Sequence, residues 1–362
     1  MPRGDAMPPS LTLAHLLILG EEKAGKTTWL LDAAESGFNV LLLDGDVAQQ
    51  AIERLSPKAK QRVFYMEVGD RLVGEGDPRM IRTVADIFTS SRFLWNDRTQ
   101  DEYSRVKDPH DPETGACLDE IWELRPAKLD HNWVLAVDSW TTLAYSAKLA
   151  KAQDMGFELA DVEKFEQSLY SGVTNRLDAI LYTQQRAPCH TCIIGHGSQY
   201  EKSKSPDNVR AGEVKPKDRI VEWTKMVPIS SSNPHGFKMG KFFSDIGWID
   251  VDKFGKRVLS FEKTNTRTSG GNLHSKGDPK GDHRFENVIR AIGGNVPGKD
   301  SDTPLGEGLI IHPAGTYIPV QKAAPAALGK SKASESPNPK AATPTTVKGL
   351  GGLAGLKKST SS

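Results

Sequence analysis

The chain has 362 residues, with 47 Lys and Arg against 46 Asp and Glu and a net charge of +1. That balance excludes a uniformly basic, histone-like binder and a strongly acidic chain, but not a local basic groove. Apolar residues make up 37% and charged residues 26%, which is enough for a sizeable core and low enough that part of the chain is expected to stay unfolded.

In chain order, residues 1–10 carry Pro2, Pro8 and Pro9 and read as a disordered lead-in. Leu13–Leu19 is an apolar run ending in a glycine-rich turn, and Thr27–Glu35 has helical character up to Ser36-Gly37, a C-cap signal. Asn39–Leu43 is a second apolar run, closed by Asp44-Gly45-Asp46. Ala48–Leu55 reads as a helix and Arg62–Val68 as a third strand. Pro78–Phe88 reads as a helix with Asp77 at the N-cap and Pro78 in the first turn. Thr89–Thr114 is polar and irregular. Trp133–Val137 is a buried strand, Val162–Leu181 a helix and Cys192–Gly195 another short strand. Gly247–Asp252 and Arg257–Glu262 flank Lys253-Phe254-Gly255-Lys256, a β-hairpin signal.

Short, continuous apolar runs between helices predict an α/β fold, a doubly wound and mostly parallel sheet covered on both faces. The organisation expected is a core over 11–270 with an insert over about 88–129, an irregular extension over 271–321, and a disordered tail over 322–362. The tail is Ala-, Pro-, Lys-, Ser- and Thr-rich and lacks aromatic residues. It sets Lys322, Lys330, Lys332, Lys340, Lys348, Lys357 and Lys358 against Glu335. Such a segment cannot bury enough apolar surface to offset its chain entropy. It reads as a solvated linker or as a basic tether.

The strongest local signal is Gly20-Glu21-Glu22-Lys23-Ala24-Gly25-Lys26-Thr27, which fits the phosphate-loop pattern GxxxxGK[ST] without a mismatch and is followed by Thr28. Its context agrees, because it follows a strand and opens a helix. Gly20 and Gly25 let the backbone turn so that N–H groups converge on phosphate oxygens, and the helix end adds a positive dipole. Lys26 supplies a point charge to the β- and γ-phosphates of ATP, and the Thr27 hydroxyl is a ligand for Mg²⁺. A carboxylate at the end of a buried strand must complete the Mg²⁺ shell, and Asp138 fits that role. An Asp there can also cap the following helix. The next residue is Ser139 rather than Glu, so a water-activating base must lie elsewhere. Asp46, at the end of the second strand, is the first candidate, with Glu67 and Asp70 as alternatives.

The layout resembles the phage-encoded RecA-like AAA/P-loop ATPases, a group that includes single-strand annealing proteins. The residues that carry the likeness are the phosphate loop, Leu43-Asp44-Gly45-Asp46, Val137-Asp138-Ser139, Ile194-Gly195-His196, Gly236-Phe237-Lys238-Met239-Gly240-Lys241, and the hairpin followed by Lys263 and Arg267. The likeness covers about residues 11–270. It implies a RecA-like P-loop NTPase, a DNA-stimulated ATP hydrolase that assembles as a homo-oligomer. The group works on single-stranded DNA in recombination, annealing or repair, with a single-strand DNA-binding protein as a further partner. It also implies that Asp46 stands near the family's water-activating Glu, that His196 senses the γ-phosphate, and that Lys263 and Arg267 reach a neighbouring subunit's ATP. Asp46 in place of Glu and the insert depart from the pattern.

Tyr200, Lys202, Lys204 and Arg210, with Lys215, Lys217, Arg219 and Trp223, combine charge and aromatics as single-stranded DNA binding requires. Glu201, Asp207, Glu213 and Asp218 dilute that charge, so an ordinary solvated loop fits equally. Two other functions compete with a DNA-coupled ATPase: an ATP-gated DNA-binding or loader module with negligible hydrolysis, and a small-molecule P-loop kinase.

Cys117, Cys189 and Cys192 are too few for a disulfide framework and suit a reducing compartment. Cys189-His190-Thr191-Cys192 has only one CxxC pair, so a core role outweighs a metal site. No stretch approaches the roughly 20 apolar residues of a membrane span, and the N-terminus lacks a signal-peptide core. The expectation is a soluble cytoplasmic protein, in the host cytoplasm if phage-encoded.

Overall fold

The computed structural model describes residues 12–46, 48–71, 77–105, 110–157, 167–204, 220–252, 254–261, 270–271 and 284–318. The elements are β1 His15–Gly20, α1 Lys26–Glu35, β2 Asn39–Asp44, α2 Gln49–Glu53, α3 Pro57–Lys60, β3 Val63–Glu67, α4 Arg79–Thr89, β4 Phe93–Asn96, β5 Asp101–Glu102, β6 Ile121–Leu124 and β7 Trp133–Asp138. They continue with α5 Trp140–Asp154, α6 Gln167–Gln184, β8 His190–Lys204, β9 Ile220–Pro228, α7 Asn233–Met239, β10 Asp245–Val251, β11 Arg257–Ser260, β12 Gly270–Gly271, α8 Phe285–Ala291 and β13 Leu309–His312.

The central sheet has the order β11-β10-β1-β8-β7-β2-β3, with β12 also paired to β10 and β9 to β8. From β10 to β3 every neighbouring pair is parallel, and β11, β12 and β9 join antiparallel. The apolar runs are buried on both faces because alternate side chains point to opposite sides. Leu17, Leu19, Leu41, Leu43, Leu135, Val137 and Ile193 pack with α4, α5 and α6. Leu16, Ile18, Val40, Leu42, Val134, Ala136, Cys192 and Ile194 pack with α1 and α8. The result is an α/β fold with a mostly parallel sheet and helices on both faces. Each fully buried Leu or Ile contributes about 2 kcal/mol.

The structure departs from the sequence reading in several places. The stretch expected to be irregular after Thr89 forms β4 and β5, part of a second, antiparallel sheet of order β13-β6-β4-β5. Its short strands bury Phe93, Trp95, Ile121 and Leu124, apolar pairs too brief to stand out from polar flanks. The extension over 271–321, irregular over 294–308, also carries regular elements. It supplies α8, whose Phe285 ring lies 5.3 Å from that of Trp29, and β13, which pairs with β6. Helix α4 begins one residue later than expected, with Pro78 at the cap. Asp77 is instead held in a backbone bridge with Arg71, and its carboxylate accepts from Arg82 at 3.2 Å.

The strand expected to stop at Gly195 continues to Lys204, and its outer half pairs with β9 from Gly197↔Pro228 to Lys204↔Ile220. Antiparallel partners satisfy a backbone whose polar sequence resembled a loop. Helix α5, signalled in the sequence only by a cap residue after the buried strand, is a further addition.

The chain divides into two units, Met1–Ile318 and Pro319–Ser362. The second, which includes the basic tail, lies outside the described residues, as does the lead-in over 1–10. Among the described residues no helix is long and apolar enough to cross a membrane.

Candidate phosphate-binding site

The parallel register brings the carboxyl ends of the central strands together. Gly20 of β1 is level with His196 of β8 and Ile249 of β10, and Asp44 of β2 is level with Asp138 of β7 and Glu67 of β3. Because β8 lies between β1 and β7, His196 stands between the phosphate loop and the acidic strand ends. Ligands of open α/β sheets bind at this edge.

The loop leaves β1 where the backbone of β10 is so close that a Cβ on Gly20 would overlap the Ile249 carbonyl oxygen. Lys23 and Gly25 then take positive φ, 60° and 93°, and Gly25 becomes the N-cap of α1. No side chain caps the first turn of α1, and that turn holds no acidic residue. Glu21, Glu22 and Lys23 are exposed, Ala24 is buried, and Thr27 and Thr28 are half-buried. Lys26 is buried, and its ammonium donates to the carbonyls of Glu21 at 2.7 Å and Gly20 at 3.3 Å. Burial lowers its pKa, opposed by the charges of Asp138, Asp46 and Glu22.

Thr27 Oγ1 donates to Asp138 Oδ2 at 2.6 Å. Burial, helped by the nearby charges of Asp44 and Asp46, lifts Asp138 to about 7 against the pull of Thr27 and Lys26. Its environment therefore disfavours a bare negative charge. A hydroxyl and a carboxylate this close form an oxygen pair suited to Mg²⁺, which prefers one or two protein oxygens together with phosphates and water. Among the described residues no group of three or more His, Cys, Asp or Glu is arranged for a metal, so such a cation would depend on its nucleotide. Cys189 and Cys192 are buried in separate core clusters on opposite faces of the sheet and are free thiols.

Asp46 is held by contacts absent from the sequence reading. Asp44 accepts the backbone N–H groups of Asp46 at 2.9 Å and Ala48 at 2.5 Å, shaping the turn that carries Asp46 out of the sheet. Thr142, in the first turn of α5, donates its hydroxyl to Asp46 Oδ1. The neighbouring Thr141 accepts the backbone N–H of His196 at 3.0 Å. Both threonines are placed by Ser139, whose side chain caps α5 by accepting the N–H of Thr142. One helix end thus links Asp138, Asp46 and His196. The only sequence signal was a Ser cap directly after a buried strand. His196 is half-buried. Burial and the Lys26 charge lower its pKa, while Asp46 and Glu22 raise it.

Lys26, Asp46, Asp138 and His196 therefore share one strand edge. The alternatives Glu67 and Asp70 line a cavity of about 320 Å³ with Asp44, Arg71, Thr142 and Tyr145. Asp70 is occupied by the Met80 N–H at 2.9 Å and the Ser146 hydroxyl at 2.7 Å. Tyr200, Lys202 and Lys204 lie on the β8–β9 arm, which leaves the sheet just after His196. Their side chains, with Arg210, Lys263 and Arg267, lie outside the described residues.

A scan of protein-family models finds no match to this chain, and neither does a search of curated proteins.

Proposed function

We propose that this protein binds Mg²⁺-ATP and hydrolyses it as a RecA-like P-loop ATPase, and that it couples hydrolysis to single-stranded DNA in phage-type recombination, annealing or repair. The observation that carries the nucleotide reading is the uncapped Gly20–Thr27 loop, with buried Lys26 folded onto it and Thr27 bonded to Asp138. The loop amides and Lys26 would hold the phosphates, and Thr27 and Asp138 the cation, which when bound neutralises phosphate charge. Asp46, steadied by Thr142, is suited to orienting the attacking water. The DNA reading rests on the family resemblance and on the β8–β9 arm, which begins at His196 and carries Tyr200, Lys202 and Lys204. A homo-oligomer follows only if Lys263 and Arg267 complete a neighbour's site.

One observation favours a second reading. The cavity beside Asp44 is lined by Glu67, Asp70, Arg71 and Tyr145, at the same carboxyl edge of the sheet as Gly20, where the acceptor of a small-molecule kinase would sit.

The test is ATP hydrolysis with and without single-stranded DNA, in the native protein and in Lys26→Ala. DNA-stimulated turnover that falls roughly 100-fold or more in the variant supports the proposal. Turnover indifferent to DNA favours the kinase. ATP-dependent DNA binding without turnover favours the gated module.

A further inference from the structure

Arg257 is a basic residue near the phosphate loop that the reading above leaves without a role. It opens β11, directly after the hairpin turn, and the turn fixes its position. Asp252 Oδ1 accepts the N–H groups of Phe254 at 2.9 Å and Lys256 at 2.8 Å, Gly255 takes a φ of 77°, and Arg257 pairs with Val251. Since β10 is the parallel neighbour of β1, this register carries Arg257 back over the loop that β1 feeds. A Cβ on Gly25 would overlap Nε, Cζ and Cδ of Arg257, so the guanidinium lies directly on the glycine that caps α1.

The placement is electrostatically unfavourable taken alone. A permanent cation sits at the positive end of a helix, in a loop that also carries Lys23 and Lys26. The acidic residues of the loop do not neutralise it, because among the described residues the Arg257 guanidinium has no hydrogen-bond or ion-pair partner. It is also exposed, so burial does not hold it there. A guanidinium with unused donors over an uncapped helix N-terminus is matched by a multiply charged anion with several acceptor oxygens.

Resting on the nucleotide reading above, we propose that Arg257 is a second cation for the bound triphosphate, supplied by the same chain through the β10–β11 hairpin. It contacts phosphate oxygens as a binding residue and takes no part in proton transfer. It also makes the hairpin a reporter of whether the loop is filled, because the Arg257 side chain gains partners only with the anion in place.

The test is titration calorimetry of the full chain and of Arg257→Ala and Arg257→Lys with Mg²⁺-ATP, Mg²⁺-ADP and AMP, beside melting curves without nucleotide. The expectation is an affinity for Mg²⁺-ATP about 10-fold weaker in Arg257→Ala, a smaller loss for AMP, and partial recovery in Arg257→Lys, which keeps the charge but not the fork. Melting without nucleotide should not fall, since the side chain has no described partner to lose and its charge faces the positive end of α1. Native-strength ATP binding by Arg257→Ala would overturn the assignment and leave the phosphate-loop reading intact. An equal loss for ATP and AMP, or a lowered melting temperature that accounts for the loss, would also overturn it. Failure of the native chain to bind Mg²⁺-ATP would remove the phosphate-loop reading and this one with it.

Discussion

The carboxyl of Asp138 is buried at the end of β7, near Asp44 and Asp46, and its pKa is raised from 3.8 to about 7. A carboxyl that holds its proton more tightly in the folded state than in the unfolded state loses stability as pH rises between those two values. Above about pH 7 the protein without nucleotide carries the full cost of that buried charge. Asp138→Asn removes the charge and keeps an acceptor for Thr27. It should therefore raise stability at pH 8 by on the order of 1–3 kcal/mol, with little effect at pH 4, while weakening Mg²⁺-ATP binding. Denaturant unfolding at the two pH values, set beside nucleotide titration, checks both halves. An Asp138→Asn protein no more stable than the native chain at pH 8 would contradict the account. Under the proposed function, a divalent cation held with the nucleotide would offset this crowding, leaving the site costly alone and favourable when loaded.

At the scale of elements, the second sheet is pinned through one carboxylate. Glu123 of β6 is 2% exposed. It bonds Arg92, just before β4, at 2.8 Å, Arg125, just after β6, at 2.6 Å, and His312 of β13 at 3.0 Å. Burial alone would raise its pKa, but these partners outweigh burial and bring it to about 2. The stability it contributes is complete above the ordinary value of 4.5 and is lost as pH falls toward 2. Glu123→Gln should cost about 2 kcal/mol at pH 7, where it strands two arginines, and much less near pH 2. A cost that does not shrink on acidification, in urea unfolding, would show that shape rather than charge matters there.

This network was illegible in the sequence because its members come from three separate segments. The Gly20–Thr27 turn was legible because its pattern is written in contiguous residues between a strand and a helix. Helix α5 was missed for a different reason. Besides Trp140, Leu143 and Leu149 it buries Ala144, Ser146, Ala147, Ala150 and Ala152, small residues that dilute the apolar contrast of its buried face. Thr141 and Thr142 went unnoticed with it, and Arg257 was passed over because its contact with Gly25 is made only by strand pairing.

Across the whole molecule, residues 284–318 close both sheets. Phe285, Val288, Ile289 and Ile292 of α8 and the residue after it complete the apolar layer over α1, and the backbone N–H of Phe285 bonds Asp32 at 2.9 Å. Arg62 then clasps the returning chain through the carbonyls of Lys299 and Ser301. Leu309 joins the layer on the opposite face, and Ile318 packs with Tyr103, Cys117 and Ile121. At about 2 kcal/mol for each of the six large side chains, these contacts amount to roughly 12 kcal/mol, comparable to the net stability of a typical domain. A chain ending at His283 should therefore lose cooperative unfolding and all nucleotide binding, although every residue of the phosphate loop is present. A chain ending at Ile318 keeps every member of the three apolar clusters, and should melt within about 3 °C of the full chain. Calorimetric melts of the two truncations decide the matter. A cooperative transition in the shorter chain would mean that the parallel sheet closes without its C-terminal cover, and that the layer built on α8 adds little to the stability of the loop it underlies.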